Sequence, residues 1–203
     1  MSSRNSTAAP RYALSFTTGG LLEREAAFLA PVYVEHHDWV KVRDLAVEGN
    51  LLQARTYRTG VRLVRETVKR MSALSDREVE SLTEITASEG GHLMWAAACR
   101  RYDLIGEFAE EVLRERFLTL AGTVSYEDYD SFYRTKAMWH DELDAVSAAT
   151  YKKLREVLFK MMVQAGLLTT QRTIEPVLLS ARVAELLTQR TPSDIRFFPT
   201  RVA

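Results

Sequence analysis

Residues 50–74 read NLLQARTYRTGVRLVRETVKRMSAL, and two helical patterns run along them in step. The basic residues of the stretch follow its apolar residues one position later, about 100° further round a helix. The apolar set recurs at gaps of three and four, which indicates one buried face; it comprises Ala54, Tyr57, Val61, Val64, Val68 and Met71. The basic row comprises Arg55, Arg58, Arg62, Arg65 and Lys69. The stretch predicts a long helix from Leu51 to Leu74 with a basic row beside its buried face.

The sign of this row indicates a negatively charged partner. Glu66 is the only acid in the stretch, against six basic residues once Arg70 is counted. Like charges at helical spacing destabilise a helix by a few tenths of a kcal/mol each, so the row favours a ligand that offsets the repulsion. A line of phosphates fits, because the planar guanidinium binds phosphate well. A solvated face, whose long side-chain stems cover the core, explains the row equally well at this stage.

The composition limits the size and class of the protein but does not indicate a binding partner. The chain has 203 residues, which suits one large domain or two small ones, and its 27 basic residues balance its 27 acidic residues. The charges are unevenly spread: residues 39–75 carry eight basic and three acidic side chains, and residues 76–130 carry five and thirteen. Cys99 is the only cysteine, which excludes an internal disulfide and fits a reducing compartment. No signal peptide or membrane-spanning run is visible, which predicts a soluble cytoplasmic protein.

The order of elements predicts an all-α, multi-helical globular fold with two helix-turn-helix elements. The first element consists of a short helix over 39–47, a turn at Gly49-Asn50 and the basic stretch that follows them. The second consists of a polar turn over 147–150, a basic helix over 151–164, and two short strands within 167–180 that would form a wing. We expect a disordered tail over 1–11, an N-terminal part over 12–121 and a C-terminal part over 122–203.

Capping signals predict the remaining helix boundaries. Thr18 would begin a first helix that ends near Pro31 or restarts just after it, and Gly90-Gly91 would end a helix over 76–88. One amphipathic helix is expected over 104–120. Ser75 with Glu78 predicts a capping box, and serines 125 and 180 predict further helix starts.

Catalytic and metal-site motifs are weak. Adjacent His36 and His37 diverge by about 100° on a helix and cannot face one ion together. Glu127, Asp128 and Asp130 lie at a predicted helix start, where acids stabilise the helix dipole. The phosphate-binding pattern G-x-x-x-x-G-K-[ST] does not occur in the sequence. The sequence therefore predicts a protein without catalytic activity, metal or cofactor.

Four motifs together resemble the BrxA family of BREX bacteriophage-exclusion systems. They are YALSFTTGGLL at 12–22, HDW at 37–39, NLLQARTYRT at 50–59 and AGLL at 165–168. The resemblance runs from about Tyr12 to the C-terminus. It implies an all-helical fold with helix-turn-helix elements, a monomer that binds double-stranded DNA, and partners among other BREX components, including a methyltransferase and an ATPase. The membrane label sometimes given to the family has no support in this sequence.

These observations predict a non-enzymatic, DNA-binding accessory protein of phage defence that contacts mainly phosphates. The candidate DNA-binding residues of the first element are Arg55, Arg58, Thr59, Arg62, Arg65 and Lys69. Those of the second are Thr150, Lys152, Lys153 and Arg155, with Gln171 and Arg172 on the wing. Two alternatives stay open at this stage: an adaptor whose basic row docks on an acidic protein, and a helical RNA-binding module.

Overall fold

The computed structural model describes residues 11–201, so most of the predicted tail at 1–11 lies outside the described residues. The chain folds into helices around one buried cluster of apolar side chains, which confirms the predicted all-α class. The α-helices up to residue 118 are α1 (Glu23–His36), α2 (Trp39–Glu48), α3 (Tyr57–Met71), α4 (Asp76–Ser81), α5 (Ala87–Arg101), α6 (Asp103–Phe108) and α7 (Glu115–Leu118). Those that follow are α8 (Tyr126–Ala137), α9 (Asp141–Asp144), α10 (Ala148–Gln164) and α11 (Ala181–Thr188).

Helix α5 forms the centre of the fold. Its residues 90–99 are all buried, as expected for the most apolar segment of the chain, and α1, α3, α10 and α11 contact it. The C-terminal segment closes over it: Trp95 Nε1 donates to the carbonyl oxygen of Phe197 at 2.9 Å. Phe197 and Phe198 are buried near a 3₁₀ turn, Asp194–Phe197, so the end of the chain belongs to the core.

Gly90 and Gly91 lie inside α5, so the prediction that they end a helix was wrong. Helix α4 stops at Ser81, and Thr86 starts α5 with Glu89 in a capping box. A Cβ at Gly91 would lie 3.8 Å from the carbonyl oxygen of Gln164. The end of α10 therefore packs on α5 at this position, at a distance that is ordinary van der Waals contact for a Cβ atom. The burial of α5 in the core outweighs the poor helix propensity of the two glycines.

The basic helix α3 is shorter than predicted, because the chain before it forms a loop. Asn50 adopts a positive φ of 44°, and its side chain bonds both the backbone N–H and the carbonyl of Ala54. Thr56 then caps α3 at Tyr57 by accepting from the backbone N–H of Thr59 at 3.2 Å. Fifteen residues give a length of about 22 Å.

The buried face of α3 is rotated slightly from the predicted one. Gly60, Val64, Thr67 and Met71 are buried, whereas Tyr57, predicted to point inward, is 77% exposed. Tyr57 is the first residue of the helix and lies at the edge of a cavity between α2 and α3.

Helix α1 begins later than predicted. Leu22, with a φ of 62°, precedes its first turn, and Pro31 lies within the helix rather than at its end. Thr18 belongs to a non-helical segment of turns and bends, residues 15–22, which we call the strap. The strap contacts both α3 and α10.

The predicted helix over 104–120 is helical from Asp103 to Leu118 but not uniform. A π-helical segment, Ala109–Arg114, joins α6 to α7. The capping predictions at Ser75, Ser125 and Ser180 are confirmed, and the first two form capping boxes with Glu78 and Asp128.

The predicted strands of the wing are not confirmed. Within residues 11–201 this region contains only single antiparallel bridges, Thr123 with Thr173 and Leu168 with Ile174. Arg172 turns the chain with a φ of 69°, its N–H donating to the carbonyl of Thr169 at 2.9 Å. Pro176 has no backbone N–H and cannot extend the pairing.

In the described part of the chain, no helix has both the length and the apolar character that crossing a bilayer requires.

Candidate nucleic-acid interface

The predicted basic row is exposed on one side of α3 and the loop before it. Arg55 lies in the loop, and Arg58, Arg62 and Arg65 follow at helical spacing. All four side chains are exposed, and none forms an ion pair with any described residue. Their mutual repulsion is therefore not offset within residues 11–201, in contrast to the charge networks elsewhere in the fold.

Arg70 does not belong to this exposed surface. It is fully buried, and its Nε donates to Glu66 Oε1 at 2.9 Å. Its Nη1 donates to the carbonyl oxygens of Gly20 and Leu21 in the strap, and its Nη2 donates to that of Thr18 at 3.4 Å. Glu66, the one acid of the stretch, thus pairs with the buried arginine and leaves the exposed row uncompensated.

Lys69 occupies an intermediate position at the end of the row. Its Nζ donates to Ser15 Oγ in the strap and lies 5.4 Å from the ring centroid of Tyr102. Partial burial lowers the pKa of Lys69, and the nearby positive charge of Arg101 lowers it further. The row therefore changes character along α3, from free guanidinium groups to a partly enclosed ammonium group.

The second predicted surface lies at the start of α10. Ser147 caps this helix, accepting from the backbone N–H of Thr150 at 3.3 Å. Thr150, Lys152 and Lys153 are exposed, and neither lysine forms an ion pair in the described ranges. The first turn of α10 contains no acidic residue, so its N-terminal dipole is also uncompensated.

Arg155, predicted to contact DNA, is held within the protein. Its Nη1 donates to Asp130 Oδ1 at 2.7 Å, and its guanidinium lies 4.4 Å from the ring centroid of Tyr126. These contacts tie α10 to α8. Arg172 lies on the other predicted element, the wing, with its guanidinium 4.7 Å from the same ring, while Gln171 beside it is exposed.

Helices α3 and α10 begin in the same way, 91 positions apart. Thr56 and Thr59 share a hydroxyl–hydroxyl hydrogen bond of 2.9 Å, and Ser147 and Thr150 share one of 3.0 Å. The helices also meet inside the protein, where Arg70 Nη1 lies 3.3 Å from Met161 Sδ. The strap adds a second link, since Leu21 N–H donates to Gln164 Oε1 at 2.8 Å. The two basic helices are therefore joined through buried contacts.

The acidic residues weighed as metal ligands have other partners. Asp128 caps α8 and pairs with Arg116 at 3.0 Å, and Asp130 binds Arg155 and the hydroxyl of Tyr151. Across residues 11–201, no group of three or more His, Cys, Asp or Glu side chains is placed to hold a metal ion.

Sequence reasoning missed the residues that meet the end of the basic row. Ser15 and Thr18 line a cavity of about 340 Å³ together with Arg62, Arg65, Glu66 and Lys69. In the sequence, the strap served as a family marker and as the predicted start of the first helix at Thr18, and nothing in its local pattern indicates that it crosses α3. A serine and a threonine near the N-terminus give no signal by spacing alone.

The matches to known proteins include a family, a curated relative and a solved structure. The sequence model of the BrxA family matches residues 10–191. The BREX protein BrxA of Bacillus cereus (strain H3081.97) is 22% identical over 148 residues, covering 71% of this chain and 74% of that protein. The crystal structure of an uncharacterized protein from Magnetospirillum magneticum superposes with a TM-score of 0.74 at 19% identity, covering 94% of this chain and 98% of the other. This last likeness concerns the fold alone.

Proposed function

The chain belongs to the BrxA family, and we propose that it is a double-stranded-DNA-binding accessory protein of a BREX phage-defence system. The observation that carries the proposal is the exposed row of Arg55, Arg58, Arg62 and Arg65, which has no acidic partner in the described part of the protein. A polyanion would offset the repulsion within the row and gain charge-assisted hydrogen bonds from each guanidinium group.

The dimensions of the row suit a phosphate backbone. Arg58 and Arg65 are seven residues apart on α3, so their Cα atoms are separated by about 10 Å along the helix axis. Each DNA strand carries one phosphate per about 3.4 Å of duplex axis. The row therefore extends over about three phosphates. Such contacts position a protein on DNA without reading its sequence.

The start of α10 provides the second contact in this proposal. Thr150, Lys152 and Lys153 surround a helix N-terminus, where backbone N–H groups and the helix dipole favour an anion. Gln171 and Arg172 would touch the backbone from the neighbouring turn, whereas Arg155 would hold α10 in place through Asp130. Helices α2 with α3, and α9 with α10, would then serve as the two helix-turn-helix elements of parts 12–121 and 122–203.

We propose that this role is non-enzymatic and is carried out in the cytoplasm by a monomer, with other BREX components as partners, such as the methyltransferase and the ATPase. The single thiol does not suggest nucleophilic chemistry. Burial raises the pKa of Cys99 well above its ordinary value, so the thiol stays protonated.

A duplex-shift assay at two salt concentrations tests the proposal. Affinity should fall steeply with salt, because each neutralised phosphate contributes about −0.9 to the slope of log K against log salt. The double variant R58E/R62E should weaken binding to all duplex sequences while its thermal stability stays close to that of the unmodified protein, since exposed substitutions change stability by about 0.5 kcal/mol or less.

The matched control is R77E/R182E, which changes the net charge equally. Both arginines are exposed and lie among Glu80, Glu84 and Glu185, where a polyanion would be repelled. This control should bind duplex nearly as well as the unmodified protein. Equal binding by R58E/R62E would refute the assignment. A competition in which RNA displaces duplex DNA would favour the RNA-binding alternative, and a complex with an acidic protein that survives nuclease treatment would favour the adaptor.

A further inference from the structure

The cavity at the end of the basic row has the features of a binding site. It lies where the strap crosses α3, has a volume of about 340 Å³ and is lined by Ser15, Thr18, Arg62, Arg65, Glu66 and Lys69. This volume exceeds that of a phosphate group alone and leaves room for an attached sugar. The cavity faces the same side as the exposed arginines, because Arg62 and Arg65 belong to both.

Its charge is strongly positive. Arg62 and Arg65 are exposed and free of ion pairs in the described part of the chain, and the Lys69 ammonium group adds a third cation. Glu66 is the one acid in the lining, but it is engaged on its inner side. Its Oε1 accepts from Arg70 Nε at 2.9 Å and from the Tyr102 hydroxyl at 2.7 Å.

The cavity also holds its donors in place. Lys69 Nζ is anchored to Ser15 Oγ and lies over the Tyr102 ring, so its position is defined rather than free in solvent. Partial burial and the charge of Arg101 lower the pKa of Lys69, against the opposing effect of the nearby Glu66 carboxylate. Two planar guanidinium groups and an ammonium group converging with hydroxyl groups form a typical set of phosphate donors.

We propose that this cavity is a seat for one phosphate group. The inference deepens the proposed function and rests on it for the source of the phosphate, which is a diester of the duplex backbone. A free phosphate-bearing molecule has the same recognition chemistry, and the experiment separates the two sources.

The test is a titration of the full-length protein with inorganic phosphate, followed by thermal unfolding. Sodium chloride at equal ionic strength is the reference. We expect a saturable rise in Tm that the chloride reference lacks, because a ligand that binds only the folded state stabilises it by mass action. Duplex DNA bound beforehand should abolish this effect, and phosphate should displace duplex more strongly than chloride does.

Two matched variants locate the site. R62Q/R65Q removes two cations from the cavity and should weaken phosphate binding at least about tenfold, since each charge-assisted hydrogen bond contributes more than a neutral one. R55Q/R58Q removes two cations from the same row outside the cavity and should leave the phosphate effect unchanged while weakening duplex binding. Lys69→Met provides a second cavity variant should R62Q/R65Q prove poorly folded.

The outcomes separate this inference from the proposed function. Absence of a phosphate-specific rise in Tm, or an equal rise in R62Q/R65Q, would overturn the phosphate seat even if duplex binding through Arg55 and Arg58 is confirmed. A phosphate effect that is localised to the cavity but insensitive to bound duplex would support the seat and assign it to a free phosphorylated molecule. Failure of duplex binding alone would count against the proposed function only.

Discussion

Replacing Arg70 by methionine should destabilise the protein by removing the partner of a buried carboxylate. Arg70 is fully buried, and the Glu66 side chain is 7% exposed. Without the guanidinium, Glu66 Oε1 retains only the hydroxyl of Tyr102, at 2.7 Å, as a donor. Breaking a buried ion pair by removing one partner typically costs about 3–5 kcal/mol, because the remaining charge stays in a poorly solvated site.

That loss is large against a domain stability of about 5–15 kcal/mol. For a chain of this size, each kcal/mol lowers Tm by about 2–4 °C, so Arg70→Met should lower Tm by about 6–20 °C. Denaturant unfolding under reducing conditions measures the free energy of unfolding directly. Arg65→Met is the control on the same helix, because Arg65 is exposed and unpaired in the described residues and should change stability by about 0.5 kcal/mol or less.

The double variant E66L/R70M tests the reasoning itself. Replacing both members of a buried ion pair by apolar residues of similar size is often close to neutral, so the double variant should regain most of the stability lost in Arg70→Met. A single variant within 1 kcal/mol of the unmodified protein would refute the argument. A double variant as unstable as the single one would show that the lost contacts to the strap carbonyls, and not the stranded carboxylate, cause the destabilisation.

Two further predictions concern pH and the strap. Burial lowers the pKa of His92 below its ordinary value of 6.5, so the folded state keeps this imidazole neutral while the unfolded state protonates it. The free energy of unfolding should therefore be highest above pH 6.5 and should fall as the pH drops, by up to about 1.4 kcal/mol per pH unit. Measured between pH 7 and 5, the Tm of His92→Gln should fall less steeply than that of the unmodified protein. An identical pH profile in that variant would mean that other groups cause the fall. Gly20→Ala should destabilise by about 1–3 kcal/mol in denaturant unfolding, because the new Cβ would lie 2.1 Å from Gln164 Oε1, which accepts from Leu21 N–H. Stability equal to that of the unmodified protein would show that the glutamine can move without loss.

Hydrophobic periodicity and capping signals predicted most of the helices from the sequence, because both depend only on a few neighbouring residues. The buried central segment and the caps at Ser75, Ser125 and Ser180 were predicted in this way. Tertiary contacts decided the failures. Gly90 and Gly91 signal a helix end locally, yet the burial of residues 90–99 among the surrounding helices keeps them inside α5.

The exposed row was predicted for Arg55 through Arg65 from spacing and sign, and the structure places these side chains at the surface. The burial of Arg70 was not predictable from the sequence, because Arg70 directly follows Lys69, the last residue of the basic row. Its buried position depends on contacts that are distant in sequence, to the carbonyl oxygen of Gly20 in the strap and to Met161 Sδ in α10. The tethering of Arg155 by Asp130 depends likewise on an element distant in sequence.

The carbonyl contacts of Arg70 fix the rotational setting of α3. A turn of one residue about the helix axis, roughly 100°, would pull the guanidinium of Arg70 away from Gly20 and Leu21 and Glu66 away from the Tyr102 hydroxyl. The helix therefore cannot roll to follow a curved or widened ligand surface. Adjustment must come from the flexible arginine side chains or from deformation of the ligand itself, so a rigid, strongly bent polyanion should fit this protein less well than a pliable one.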